Sequence, residues 1–173
     1  MIIRPESPAD IAAIRAVTIA AFKDHPHSDQ TEHLIIDRLR QAGALSLSLV
    51  AEVNGDVVGH IAFSPVELSD GSKDWYGLGP VSVLPAFQGR GIGSALIGKG
   101  LEVLREQAAA GCVVVGNPEL YRKFGFQNDA RLIYPDCAPQ YFLAQPLSSN
   151  AASGTVSYNA AFFAGGDGQD GAA

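Results

Sequence analysis

Residues 88–96, QGRGIGSAL, decide how the rest of the chain reads. Glycines at 89, 91 and 93 lie between an apolar run ending at Leu84 and a helix-like run beginning near Ile92. Glycine admits positive φ and lets the main chain come close to a ligand, and the first amides of a helix have no intrahelical acceptor. A loop of this kind running into a helix is an anion-binding corner. Two common nucleotide patterns do not fit it. A dinucleotide fingerprint needs G-x-G-x-x-G straight after a first strand, whereas Gly89, Gly91 and Gly93 give G-x-G-x-G in mid-chain. A P-loop needs G-x-x-x-x-G-K-[ST]. Residues 93–100, GSALIGKG, follow it through Lys99 and then supply Gly100, and they fall inside the helix rather than before it. A third pattern, [RQ]-x-x-G-x-[GA], is met in full by Gln88, Gly91 and Gly93.

Composition limits what the anion site serves. With 173 residues, 47% apolar and 17% charged, the chain fits one domain with a sizeable core, expected over 1–163. Residues 164–173, AGGDGQDGAA, have almost nothing to bury and are expected to form a flexible tail. A net charge of −6 argues against non-specific attraction to nucleic acid or an anionic membrane, so a polyanionic ligand is held by local donors. The N-terminal MIIRPESPAD lacks a basic-then-apolar leader and no run is long enough to span a bilayer. Cys112 and Cys137 follow no disulfide pattern and read as reduced thiols, which points to the cytoplasm. His25 and His27 flank Pro26 in a spacing that fits no established ligand set, and no metal is expected.

Upstream of the loop, MIIRP reads as a short strand, and Ile11, Ile14, Val17 and Ala21 share one face of a helix over about 8–22. A second helix follows a polar loop, with Asp29 and Glu32 at capping-box spacing and Gly43 at its exit. Asn54-Gly55 joins two strand-like runs in a hairpin. A fourth strand over about 75–84 carries Gly77, Gly79 and Pro80, residues that weaken a ladder and mark a bulge or a parting of strands. Downstream, the loop feeds a helix to about Ala110, in which Gly98 and Gly100 call for close packing on the sheet. A buried strand GCVVVG follows, then a two-turn helix in NPELYRKFGF with Asn117 as cap, Pro118 at the first position and Gly125 at the exit. PQYFLAQPL and GTVSYNAAFF are further strand candidates. The order predicts an α/β protein of mixed α+β type, a mixed sheet covered by helices.

The strand, Pro85, QGRGIGSAL and the following helix resemble the acyl-coenzyme A signature of the GNAT superfamily of N-acetyltransferases. The element order agrees over roughly 1–145, and the whole chain resembles a subgroup of small bacterial N-acetyltransferases. The resemblance implies a mostly antiparallel sheet of about seven strands with a splayed strand 4/strand 5 pair and helices on both faces. It implies acetyl-CoA as co-substrate, with Val81, Ser82 and Val83 along the pantetheine arm and Gln88, Gly89, Arg90, Gly91, Ile92, Gly93 and Ser94 at the pyrophosphate. LYRKFGF is similar to the family's L-Y-x-K-x-G-F segment, which makes Tyr121 the general acid for the departing thiolate. A phenol of ordinary pKa about 10 gives its proton to a thiolate of about 8.5 only with help from positioning. Asn117 matches a residue that bonds the coenzyme arm, a role its capping position explains equally well. For the base, Glu67 is the named candidate beside Asp24, His25 and Glu32, with a water chain as the alternative. Lys99, Arg122 and Lys123 could face the 3′-phosphate or be ordinary surface charges. The acceptor is then an unidentified primary amine, attacked directly with no covalent enzyme intermediate, and a homodimer is compatible with the family. The alternative is an acyl-CoA-binding sensor without turnover, or a protein that holds another nucleotide on the same loop.

Overall fold

The computed structural model describes residues 1–149 and 151–163, and the expected 164–173 tail lies outside the described residues. In chain order the strands are β1 (Ile2–Pro5), β2 (Leu47–Val53), β3 (Asp56–Pro65), β4 (Glu67–Leu68), β5 (Trp75–Val83), β6 (Gly111–Val115), β7 (Leu132–Ile133), β8 (Phe142–Pro146) and β9 (Gly154–Ser157). The helices are α1 (Ile11–Phe22), α2 (Glu32–Gln41), α3 (Ile92–Glu106) and α4 (Pro118–Arg122). A central sheet runs β1-β2-β3-β5-β6-β8, antiparallel throughout except for the parallel β5-β6 pair. The β2-β3 hairpin closes at Asn54 and Gly55, both with positive φ (52° and 85°), the left-handed pair that matches the twist of the strands.

Period-two alternation assigns the faces of the sheet. Leu49, Ala51, Ile61 and Phe63 form one core with Leu96, Leu101 and Leu104 of α3, while Val50 turns the other way to Ile14 of α1 and Ile36 of α2. Helices therefore cover both faces. Beyond α1 and α2, that second face is closed by a small sheet of order β4-β9-β7, which packs Val66, Leu68, Val156 and Leu132 against Trp75, Val113 and Phe142. The central sheet thus has six strands instead of about seven, because the strand in GTVSYNAAFF pairs with β4 and β7. Strands of two residues carry no periodicity, so the pattern gave no sign of β4 or β7.

Local departures have simple causes. Thr31 is the N-cap of α2, where a capping box on Asp29 and Glu32 was expected. Asp29 instead accepts from the Thr31 amide at 3.2 Å, and Glu32 takes the Ser28 hydroxyl at 2.8 Å. α3 stops at Glu106, short of Ala110, as Ala108 turns left-handed (φ 61°). A Cβ on Gly100 would stand 2.4 Å from the Phe63 ring, the close packing expected of it, whereas a Cβ on Gly98 would meet nothing within 4 Å.

Candidate active site

β5 and β6 are joined only at their beginnings, through Trp75↔Gly111, Tyr76↔Cys112 and Gly77↔Val113. Past Gly77 they part. On its other edge β5 stays paired to β3, with a bulge where Gly79 and Pro80 face Ala62. The Leu84 amide donates to the Val58 carbonyl at 2.9 Å, which sets the phase of the antiparallel ladder. Alternate residues then bond β3, and the main-chain groups of Val81 and Val83 turn to the open edge. The Val83 carbonyl is taken by the Gln88 side-chain amide at 3.0 Å, so Gln88 ties the loop to the strand end. Ser82 points to the α1 face, buried, its hydroxyl 3.3 Å from that of Thr18.

The glycine loop lies at the end of the opened edge. Gly89 (φ 77°) and Gly91 (φ 83°) are left-handed, and Gly91 is the N-cap of α3. The first bond into the helix is from the Ala95 amide to the Gly91 carbonyl at 3.0 Å. Among the described residues, none of the amides from 89 to 94 donates to a protein acceptor. Those donors meet the positive end of a fifteen-residue helix, roughly half an elementary charge. Buried Ile92 anchors the turn, Ser94 is exposed, and the Arg90 guanidinium lies over the Phe87 ring at 5.1 Å. A Cβ on Gly93 would meet only Val83 Cγ2 at 3.9 Å, so space does not require glycine there.

α4 presents Tyr121 to the core shared with α3. The Asn117 side-chain oxygen accepts from the Glu119 amide at 2.9 Å, which gives the helix its cap. Tyr121 sits edge-on to Phe126 at 5.9 Å, and Gly116 leaves room for its ring, since a Cβ there would stand 2.5 Å from Tyr121 Cε2. Burial, helped by Cys112, pushes the Tyr121 phenol above its ordinary pKa, and no protein hydrogen bond to its hydroxyl occurs among the described residues. It is a protonated donor with free valence. Cys112 is fully buried and its thiol is pushed up by burial; Cys137 is raised too, by burial and then by Asp136. Neither is a ready nucleophile.

The Acetyltransferase (GNAT) family profile matches residues 12–126. The chain belongs to the GNAT acetyltransferase family. Among curated GNAT relatives, the uncharacterized N-acetyltransferase YhbS of Escherichia coli strain K12 is 35% identical over 169 residues, covering 94% of this chain and 98% of its own. A GNAT family acetyltransferase of Brucella melitensis, solved in complex with acetyl-CoA, is 51% identical with a TM-score of 0.83, over 93% of this chain and 97% of that one. The crystal structure of Escherichia coli YhbS in complex with CoA gives 32% identity and a TM-score of 0.85, over 94% and 91%.

Other candidates of the GNAT reading are scattered. Glu67 lies two residues past the end of β3, exposed on β4, facing Ser157, in a hollow with Pro65, Lys73 and Tyr76. The small sheet draws the chain away there, because Leu68 needs the cover of Val156. His25 packs on Phe22 at 5.7 Å, in the α1-α2 loop that also holds Asp24 and leads to Glu32. Lys99 is paired with Glu102 at 2.9 Å, and Arg122 donates to Asn128 at 2.9 Å. Among the described residues no group of three or more His, Cys, Asp or Glu could hold a metal ion, and no helix is long and apolar enough to cross a membrane. Sequence reading missed Thr18 behind Ser82 and Phe87 beneath Arg90. A hydroxyl on the apolar face of the first helix was the available sign of Thr18.

Proposed function

We propose that this chain is an N-acetyltransferase that takes acetyl-CoA as acyl donor and transfers the acetyl group directly to a primary amine. One observation carries the reading: the main-chain groups of Val81 and Val83 face an edge that β6 has left, and that edge leads to the unpaired amides of 89–94. A pantetheine arm offers amides to such an edge, and a pyrophosphate suits such a helix start. The bound acetyl-CoA and CoA of the two similar structures support the same donor.

In this reading the amine nitrogen attacks the thioester carbonyl carbon, the C–S bond breaks, and sulfur takes a proton from the Tyr121 hydroxyl. The amine gives up one proton to a base or a water chain. Glu67 is our candidate base, because it is exposed two residues beyond Pro65, which faces Tyr76 at the closed end of the gap. Gln88 acts by holding the loop on Val83, and Asn117 by capping α4, with its side-chain NH2 left for the arm. A single domain over 1–163, a cytoplasmic location and a homodimer complete the proposal, the last checked by light scattering against a chain mass of 18.1 kDa.

Calorimetry with acetyl-CoA, ATP and NAD side by side tests the donor: acetyl-CoA binds and the others do not. Binding of ATP or NAD without acetyl-CoA would overturn it. Thiol release from acetyl-CoA across amines, amino acids, polyamines and peptides then identifies the acceptor.

A further inference from the structure

Tyr158, just past β9, has a hydroxyl that is buried and bonded to nothing. Its ring lies on Gly77, where an added Cβ would come within 2.6 Å of Tyr158 Cε2. Gly77 is the last residue of β5 that pairs with β6, so the ring covers the point where the strands part. Tyr134 and Phe162, each with its ring centre 5.1 Å away, hold it in place. Burial raises its pKa well above the ordinary phenol value, so the hydroxyl keeps its proton. Ser64, opposite Gly77 in β3, has a second buried and unpartnered hydroxyl. A hydroxyl stripped of water with no partner is costly, so a donor held in this way is set for a ligand that arrives in the gap.

We infer that the Tyr158 hydroxyl donates a hydrogen bond to the carbonyl oxygen of the bound thioester, while Tyr121 serves its sulfur. The inference rests on the acetyl-CoA reading above. As the amine adds, the carbonyl electron pair moves to oxygen, where the Tyr158 O–H stabilises it without giving up its proton. When the carbonyl re-forms, the C–S pair leaves on sulfur and takes the Tyr121 proton.

The test needs no acceptor. Acetyl-CoA labelled with 13C at the carbonyl is bound to the protein, its affinity is measured by calorimetry, and its carbonyl stretch is read by isotope-edited infrared difference spectroscopy. The bound band is expected below the free one. Y158F returns it to the free position with acetyl-CoA still bound, while Y121F and S64A leave it lowered. Difluorotyrosine at 158, a stronger donor, lowers it further and serves as the second probe should Y158F fold poorly. A band already at the free position in the unaltered protein, a band unmoved by Y158F or by the fluorinated residue, or one moved by S64A instead overturns the inference. Failure of acetyl-CoA to bind the unaltered protein would remove the donor reading itself.

Discussion

Tyr121 is a buried phenol with its proton secured and its oxygen unpartnered, which suits a group that must meet a leaving sulfur. Y121F is expected to slow thiol release about 100-fold to 10,000-fold, the range for a lost general acid, with the acetyl-CoA dissociation constant unchanged in calorimetry. His60 has a different consequence, for stability. It is fully buried in β3, and burial lowers its pKa from 6.5 to about 4, with Glu6 opposing and Arg40 assisting. Ser48 donates its one proton to Glu6, so it accepts from His60 Nε2 at 2.7 Å, while Arg40 holds Glu6 at 2.9 Å. The unfolded imidazole gains a proton near 6.5 and the folded one near 4, so stability is full above 6.5 and falls across that window as the pH drops. The loss from this residue is roughly 3 kcal/mol. Urea unfolding at pH 7 and pH 4.5 should show it, and H60Q should flatten the difference. Tyr121 was legible in the chain from its place in LYRKFGF, four residues before Gly125. His60 and Tyr158 were not, because their meaning depends on partners distant in sequence.

At the scale of elements, the glycines of the loop and of α3 divide into three kinds. Gly91 is held at φ 83° at the mouth of the helix, so G91A is expected to cost about 1–2 kcal/mol in stability and to weaken acetyl-CoA binding in calorimetry. Gly100 packs under Phe63, and G100A should destabilise by about 1–3 kcal/mol through crowding. Gly98 has open space around its missing Cβ, so G98A should stabilise α3 by up to about 1 kcal/mol in the same urea experiment. Both α3 glycines look alike in sequence and suggest the same close packing. Only the register of α3 on β3 separates them. The parting of β5 from β6 was foreshadowed by Gly77, Gly79 and Pro80, since each weakens a ladder, and the pairing does end at Gly77.

At the scale of the molecule, the small sheet is a structural partner of the site, because β9 closes the core over Trp75 and Val113 and leads to Tyr158. A chain ended at Ser149 would leave Val66, Leu68 and Trp75 uncovered, and it is expected to lose cooperative melting by circular dichroism. The sequence by itself determined the order of elements, the hairpin at Asn54-Gly55, the glycine loop and hence the family. Those features are written in local chemistry: positive φ, capping and hydrophobic period act within a few residues. Tertiary structure alone decided that β9 joins β4 and β7, that Glu67 leaves the central sheet, and that Tyr158 is brought to Gly77 from 81 residues away in the chain. Such contacts are chosen by which buried surfaces fit together, and two-residue strands or lone hydroxyls carry no periodic signal of that choice.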